Sequence, residues 1–196
     1  RICQTRRLLS IVKSANALQI FKNTPSAIFA PMPETLEKYV LLTGSDLGDR
    51  NANLEAAISL INQRIGRIVA ASSIVETEPW GFESDTQFLN QALLVETHLD
   101  PESLLKNVLE IEREIGRERK ETQWTSRIID IDIVCSENRS YHSNNLTIPH
   151  KHLHERSFVL NPLCQLVPNW IHPLLHKNYA QLLVKLNQGQ TESILS

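Results

Sequence analysis

From Tyr39 onward, the order of apolar and polar positions divides the chain into short apolar runs and longer stretches striped at helical spacing. Tyr39 to Thr43 is an apolar run of strand length. Gly44-Ser45-Asp46-Leu47-Gly48-Asp49 predicts a tight loop after it, because glycine permits backbone angles that other residues avoid. Leu54, Ala57, Ile58, Ile61 and Ile65 lie 3, 4, 7 and 11 positions from the first, the spacing of one helix face. Asp49 is placed to cap that helix and Gly66 to end it. Ile68 to Ile74 and Phe88 to Thr97, rich in β-branched and aliphatic residues, predict two strands joined by a loop over Glu76 to Gln87. Asp100 and Pro101 open a second helix whose apolar side is Leu104, Leu105, Val108, Leu109, Ile111 and Ile115, and Gly116 closes it. Ile128 to Val134 is a last strand.

The order β-α-β-β-α-β predicts an α+β fold, a ferredoxin-like sandwich with helices on one face of an antiparallel sheet. A C-terminal extension from Thr147 to Ser196 carries Pro149, Pro162, Pro168 and Pro173, which predict loops, with a short helix near Tyr179 to Leu186. At 196 residues and 41% hydrophobic composition, one buried domain is expected, over residues 32–196.

Charge narrows the functional classes. Residues 1–31 hold Arg1, Arg6, Arg7, Lys13 and Lys22 and no acid, so the remaining residues carry 15 basic against 22 acidic groups, a net charge of -7. An acidic body argues against broad binding to nucleic acid or membranes, which needs a basic face. The central strands also lack the paired aromatics of an RNA-binding sheet. The basic segment 1–31 reads as a tail, an upstream stretch from a mis-set start before Met32, or a transit-like segment. The expected location is the cytoplasm, or an organelle if the segment targets the protein. Cys3, Cys135 and Cys164 form no C-x-x-C pair, and no run of 18 apolar residues occurs.

The chemistry concentrates between Gly116 and Asp132. In the strand that ends there, alternation sends Ile129, Ile131 and Ile133 to one face and Asp130 and Asp132 to the other. Two carboxylates about 6–7 Å apart along a strand suit magnesium ions that hold a triphosphate, whereas two bare buried charges would be costly. Arg117, Arg119, Lys120 and Arg127 lie within eleven residues beside them. Guanidinium and ammonium groups there match phosphate oxygens and charge developing on a transferring phosphoryl group. No Gly-x-x-x-x-Gly-Lys-Ser/Thr sequence is present, so the chain is not a P-loop enzyme. His150, His152 and His154 have no carboxylate or cysteine at a usual zinc partner spacing, and a single histidine touching a nucleotide is the expected role.

Gly44-Ser45-x-Leu47-Gly48-Asp49, Thr77-x-Pro79-x-Gly81, Phe88-Leu89-Asn90, Gly116-Arg117-x-Arg119, Trp124-x-x-Arg127-x-x-Asp130-x-Asp132, Pro149-His150 and Arg156-x-Phe158 follow one another in this order. Together they resemble the 6-hydroxymethyl-7,8-dihydropterin pyrophosphokinases, over about Tyr39 to Leu183. The resemblance implies transfer of the β,γ-pyrophosphoryl unit of ATP to the pterin hydroxymethyl oxygen, giving AMP and the pterin diphosphate in folate biosynthesis. It implies two magnesium ions on Asp130 and Asp132, with Asp132 near the attacking hydroxyl, and phosphate binding with charge stabilisation by Arg117 and Arg127. Arg119 and Lys120 would sit on a loop closing over ATP. Glu112, Thr147, His150 and Arg156 match nucleotide contacts. Thr77, Pro79, Trp80, Phe88, Asn90, Trp124 and Phe158 match the pterin site, where flat faces and an amide suit a lactam-like ring. A monomer is expected. The chain departs from its relatives at Asp46, which stands where they usually have Asn, at Gln123, at Thr125-Ser126 in place of a common Gly-Pro, and at Asn145.

Overall fold

A computed structural model describes residues 35–78, 86–117 and 126–195; the segment 1–31, with the expectation of a tail there, lies outside the described residues. In chain order the elements are β1 (Glu37–Ser45), α1 (Arg50–Arg64), β2 (Arg67–Ala71), β3 (Val75–Thr77), β4 (Phe88–Thr97), α2 (Pro101–Ile115), β5 (Asp130–Ser136), β6 (Tyr141–His142) and β7 (Thr147–Ile148). A short 3-10 turn at Leu153–Glu155 leads to α3 (Ser157–Leu166), β8 (Ile171–His172), β9 (Lys177–Asn178) and α4 (Tyr179–Leu195). The main sheet runs β2-β4-β1-β5, antiparallel throughout, with β3 also on β4. If β2 and β3 are counted as one interrupted edge strand, this is the expected ferredoxin-like order.

The interruption has a local cause. Ser72 donates its N–H to the Ala92 carbonyl, while its hydroxyl oxygen accepts the Ala92 N–H at 2.9 Å. A side chain thus replaces a backbone carbonyl in the ladder, and the strand expected from Ile68 to Ile74 breaks there.

Helix boundaries follow the capping chemistry. The Asp49 carboxylate accepts the Ala52 N–H, and Asp100 accepts those of Glu102 and Ser103 ahead of Pro101. At Gly116, φ is 114°, which any side chain would strain. The left-handed turn lets the Gly116 N–H reach Arg113 and the Arg117 N–H reach Glu112, a Schellman closure that leaves Arg117 folded back over its own helix.

Alternation along β1 splits the core. Tyr39 and Leu41 pack with Leu54, Ile61, Leu104, Val108 and Ile111 beneath α1 and α2. Val40 and Leu42 pack with Leu153, Leu160, Leu163, Tyr179 and Leu182 beneath α3 and α4. The helices therefore lie on both faces, not on one. Helix α3 was not anticipated, and α4 extends beyond the short helix expected at Tyr179 to Leu186. The second pair covers only part of its face; at the end of the sheet bearing Gly44 and Asp130, that face lines a cavity.

Candidate active site

The cavity, about 620 Å³, is floored by β1, β4 and β5 and walled by α2, the β7 segment and the start of α3. As expected from alternation, Ile129, Ile131 and Ile133 join the core under α1 and α2. Asp130 and Asp132 line the cavity from the opposite face, and Ile131 and Ile133 also border it, since β5 is the edge strand and the cavity extends past it to Leu105 and Leu109 of α2.

The register gives this floor its layout. Asn90 on β4, Gly44 on β1 and Asp130 on β5 form one cross-strand row, and Ala92, Leu42 and Asp132 form the next. Gly44 is the last residue but one of β1, not part of a loop, and it serves through its size. A Cβ there would stand 2.9 Å from Asn90 Oδ1 and 3.7 Å from Phe88 Cδ1. The gap keeps the middle of the row open between Asn90 and Asp130.

Asp130 is held by two arginines. Arg117 donates from Nη1 to Oδ1 at 2.5 Å and Arg127 from Nη1 to Oδ2 at 2.6 Å. The same Arg117 nitrogen pairs with Glu112 Oε1, which also accepts the Ile131 N–H at 2.8 Å. Glu112 thus ties α2, the chain leaving it and the edge of β5 together; at 2% exposure it is nearly sealed.

Asp132 is only part-buried by surface area, yet it sits deep among charges. Its carboxyl is pushed up to about 7, first by burial and then by the Asp130 charge, with Arg156 and Arg117 opposing. Arg156, which precedes α3, is 9% exposed. His150 hangs its N–H on the Val134 carbonyl at 2.8 Å, where a bulge in the β1–β5 register leaves Val134 as the extra residue. Burial and then the Arg156 charge push the His150 ring down to about 4, so it is neutral near pH 7.

At the other side, Asn90 Nδ2 donates to Thr77 Oγ1 at 2.8 Å, and Phe88 and Phe158 contribute aromatic surface to the cavity. The Arg156 guanidinium lies 5.8 Å from the Phe158 ring centroid.

Thr77, Phe88, Asn90, Glu112, Arg117 and Arg127 all line this one cavity, as do Asp130, Asp132, Thr147, His150, Arg156 and Phe158. Pro79, Trp80, Arg119, Lys120 and Trp124 lie outside the described residues. Sequence reasoning missed Leu105 and Leu109, which it assigned to the buried side of α2. Leu104, Val108 and Ile111 fill the core, while Leu105 and Leu109 turn toward the cavity beside Glu112. The signal was present in the width of the apolar stripe, broader than one packing face requires. Leu146 and Lys151 were also missed, and Asn145, noted only as a departure, lines the wall.

Paired aspartates fronted by arginines, on a ferredoxin-like sheet with an amide and aromatic rings across the cavity, define a class: a nucleotide-dependent transferase for a flat heterocyclic acceptor. Residues 40–168 match the model of 7,8-dihydro-6-hydroxymethylpterin-pyrophosphokinase, and the chain belongs to that family, which uses ATP and makes it a pyrophosphokinase of folate synthesis.

The 2-amino-4-hydroxy-6-hydroxymethyldihydropteridine pyrophosphokinase of Porphyromonas gingivalis is 41% identical over 136 residues, 68% of this chain and 92% of its own length. That of Bacillus subtilis is 40% identical over 129 residues, 65% of this chain and 76% of its own. Folic acid synthesis protein fol1 of Schizosaccharomyces pombe is 37% identical over 186 residues, 90% of this chain, which spans only 25% of that longer protein. A crystal structure of HPPK-DHPS in complex with substrates shares the fold, with a TM-score of 0.68 at 15% identity over 82% of this chain and 45% of the other. Among the described residues no helix is long and apolar enough to cross a membrane.

Proposed function

We propose that this chain transfers the β,γ-pyrophosphoryl unit of ATP to 6-hydroxymethyl-7,8-dihydropterin. The pterin hydroxymethyl oxygen forms a bond to the β-phosphorus, the bond from that phosphorus to the α,β-bridging oxygen breaks, and AMP leaves. The observation that carries this reading is the row Asn90–Gly44–Asp130. It sets an amide suited to a lactam-like ring and a carboxylate between two arginines on either side of one open gap.

In this proposal the pterin lies near Asn90 and Thr77 with Phe88 and Phe158 against its faces, and Pro79, Trp80 and Trp124 join it on the resemblance alone. Asn90 recognises the ring edge through an amide that both donates and accepts. Thr147, His150 and Arg156 take the nucleotide, with His150 as a neutral imidazole. Arg119 and Lys120 cover ATP and exclude water, again on resemblance. Glu112 is nearly sealed, so its share in nucleotide binding runs through Arg117, which it orients. Arg117 and Arg127 stabilise the charge spread over the transferring group, held in place for it by Glu112 and Asp130.

The site suits magnesium. Asp130 and Asp132 offer hard oxygen donors from one strand face, both lining the cavity. The two arginines use only part of the acceptor capacity of the Asp130 carboxylate. Two magnesium ions held by Asp130 and Asp132 would neutralise triphosphate oxygens and favour departure of AMP.

The test is product analysis with ATP, magnesium and the hydroxymethyl pterin. AMP formed only when the pterin is present is the expected result. ADP as the product, or AMP release indifferent to the pterin, would overturn the reading.

A further inference from the structure

The loop after β1 is bonded to the backbone that carries Arg127, 81 residues further on. The Asp46 N–H donates to the Arg127 carbonyl at 3.3 Å, and the Arg127 N–H donates to Asp46 Oδ1 at 2.6 Å. One residue earlier, the Ser45 hydroxyl donates to the Ile128 carbonyl at 2.5 Å. The chain from Arg127 to Ile128 is thus bonded by two successive residues of another segment. That segment is anchored in turn: Asn53 in the first turn of α1 donates from Nδ2 to the Ser45 hydroxyl oxygen at 3.1 Å and to the Leu47 carbonyl at 2.9 Å.

Asp46 is 1% exposed. Its Oδ2 is buried and meets no hydrogen-bond partner among the described residues. Burying a carboxylate with one oxygen unsatisfied works against stability, so its presence calls for a compensating role. The Arg127 N–H, the one group Oδ1 serves among the described residues, stands at the start of the three-residue step to Asp130.

We propose that Asp46 is a positioning residue for Arg127. Its carboxylate fixes the backbone at the base of the arginine, so that the guanidinium meets Asp130 and the transferring phosphoryl oxygens without reorganising. This deepens the pyrophosphokinase reading and rests on Arg127 acting in that reaction. Only the acceptor Oδ1 is required; the task does not use Oδ2, which has no hydrogen-bond partner among the described residues. Asp46→Asn therefore keeps the bond to the Arg127 N–H, while Asp46→Ala removes it.

The experiment measures kcat and the pterin dissociation constant for Asp46→Ala, Asp46→Asn, Arg127→Ala and the Asp46→Ala/Arg127→Ala double variant, with thermal melts as a check on folding. Asp46→Ala is expected to lower kcat about 10–100-fold with pterin affinity unchanged, the scale of a misplaced charge stabiliser. Asp46→Asn is expected to retain kcat within about threefold and to melt no lower than the parent. In the Arg127→Ala background, Asp46→Ala should cost less than about twofold more, because the group it positions is gone.

Equal losses from Asp46→Ala with and without Arg127 would overturn the proposal and leave Asp46 a general support of the fold. So would a loss for Asp46→Asn as large as for Asp46→Ala. Full turnover in Arg127→Ala would instead strike the catalytic assignment of Arg127, and a persistent Asp46→Ala loss in that case would also reject action through Arg127. If Asp46→Ala fails to fold, Asp46→Val, which removes the acceptor while filling the buried space, is compared with and without Arg127→Ala in the same way, and equal losses in both backgrounds overturn the proposal.

Discussion

Asn90 and Asp130 occupy the same cross-strand row, one on each side of Gly44. Two strand spacings place their backbones about 9–10 Å apart, enough for a heterocycle at one end and a phosphate at the other. Since a Cβ on Gly44 would stand 2.9 Å from Asn90 Oδ1, Gly44→Ala must turn the amide away from Thr77. The expected outcome is a rise of about tenfold or more in the KM for the pterin, with a much smaller change for ATP. Steady-state kinetics with each substrate varied in turn checks this; equal effects on both would disconnect Gly44 from the pterin end.

Arg127→Ala and Arg117→Ala should each lower kcat by roughly 10²–10³-fold, the usual consequence of losing one stabiliser of transition-state charge. Single-turnover measurements separate this from substrate binding. A variant that raised only the KM for ATP would mark its arginine as a ground-state phosphate contact.

Glu112→Ala should affect stability as well as rate. It removes an acceptor shared by the Arg117 guanidinium and the Ile131 N–H, both in the brace between α2 and β5. Arg117 keeps Asp130, so a loss of about 2–4 kcal/mol is expected from urea denaturation. A stability unchanged within error would contradict the brace.

In the absence of magnesium, Asp132 and His150 give stability opposing pH dependences. The folded Asp132 carboxyl binds its proton more tightly than the unfolded one, so its contribution is full at low pH and is lost as pH rises toward about 7. The folded His150 ring binds its proton less tightly, so its contribution is present above the free imidazole value and is lost as pH falls toward about 4. Asp132→Asn should therefore remove a decline in stability between about pH 4 and pH 7, and magnesium should reduce the same decline in the parent protein by favouring the ionised form. Denaturation at several pH values with a chelator, with and without magnesium, tests both; an identical slope in parent and variant would reject the Asp132 assignment.

The sequence was most legible where its signals were local. Asp100, Pro101 and Gly116 announce the ends of α2 because capping and left-handed turns need only a few neighbouring residues. The two faces of β5 followed from alternation alone. The features that escaped depend on distant partners. The turn at Gly116 brings Arg117 to Asp130, where Arg127 meets it from further along the chain, and the tie between Asp46 and Arg127 joins segments that local patterns treat separately. Helix α3 was obscured by Pro162 inside it and by the absence of a side-chain cap bond at its start. Its buried residues Val159, Leu160 and Leu163 make sense only once the second face of the sheet is there to cover. Gly44, expected in a loop, lies in β1, and the space it preserves is defined by Asn90, across the ladder.

Pyrophosphoryl transfer in this cavity is tested most directly by following labelled phosphorus from ATP into the pterin product. With label at the γ-position, the account predicts that radioactivity appears in the pterin diphosphate; with label at the α-position, it appears only in AMP. Asp132→Asn should abolish both products. Label from the α-position on the pterin, or γ-label transferred with ADP left behind, would contradict it.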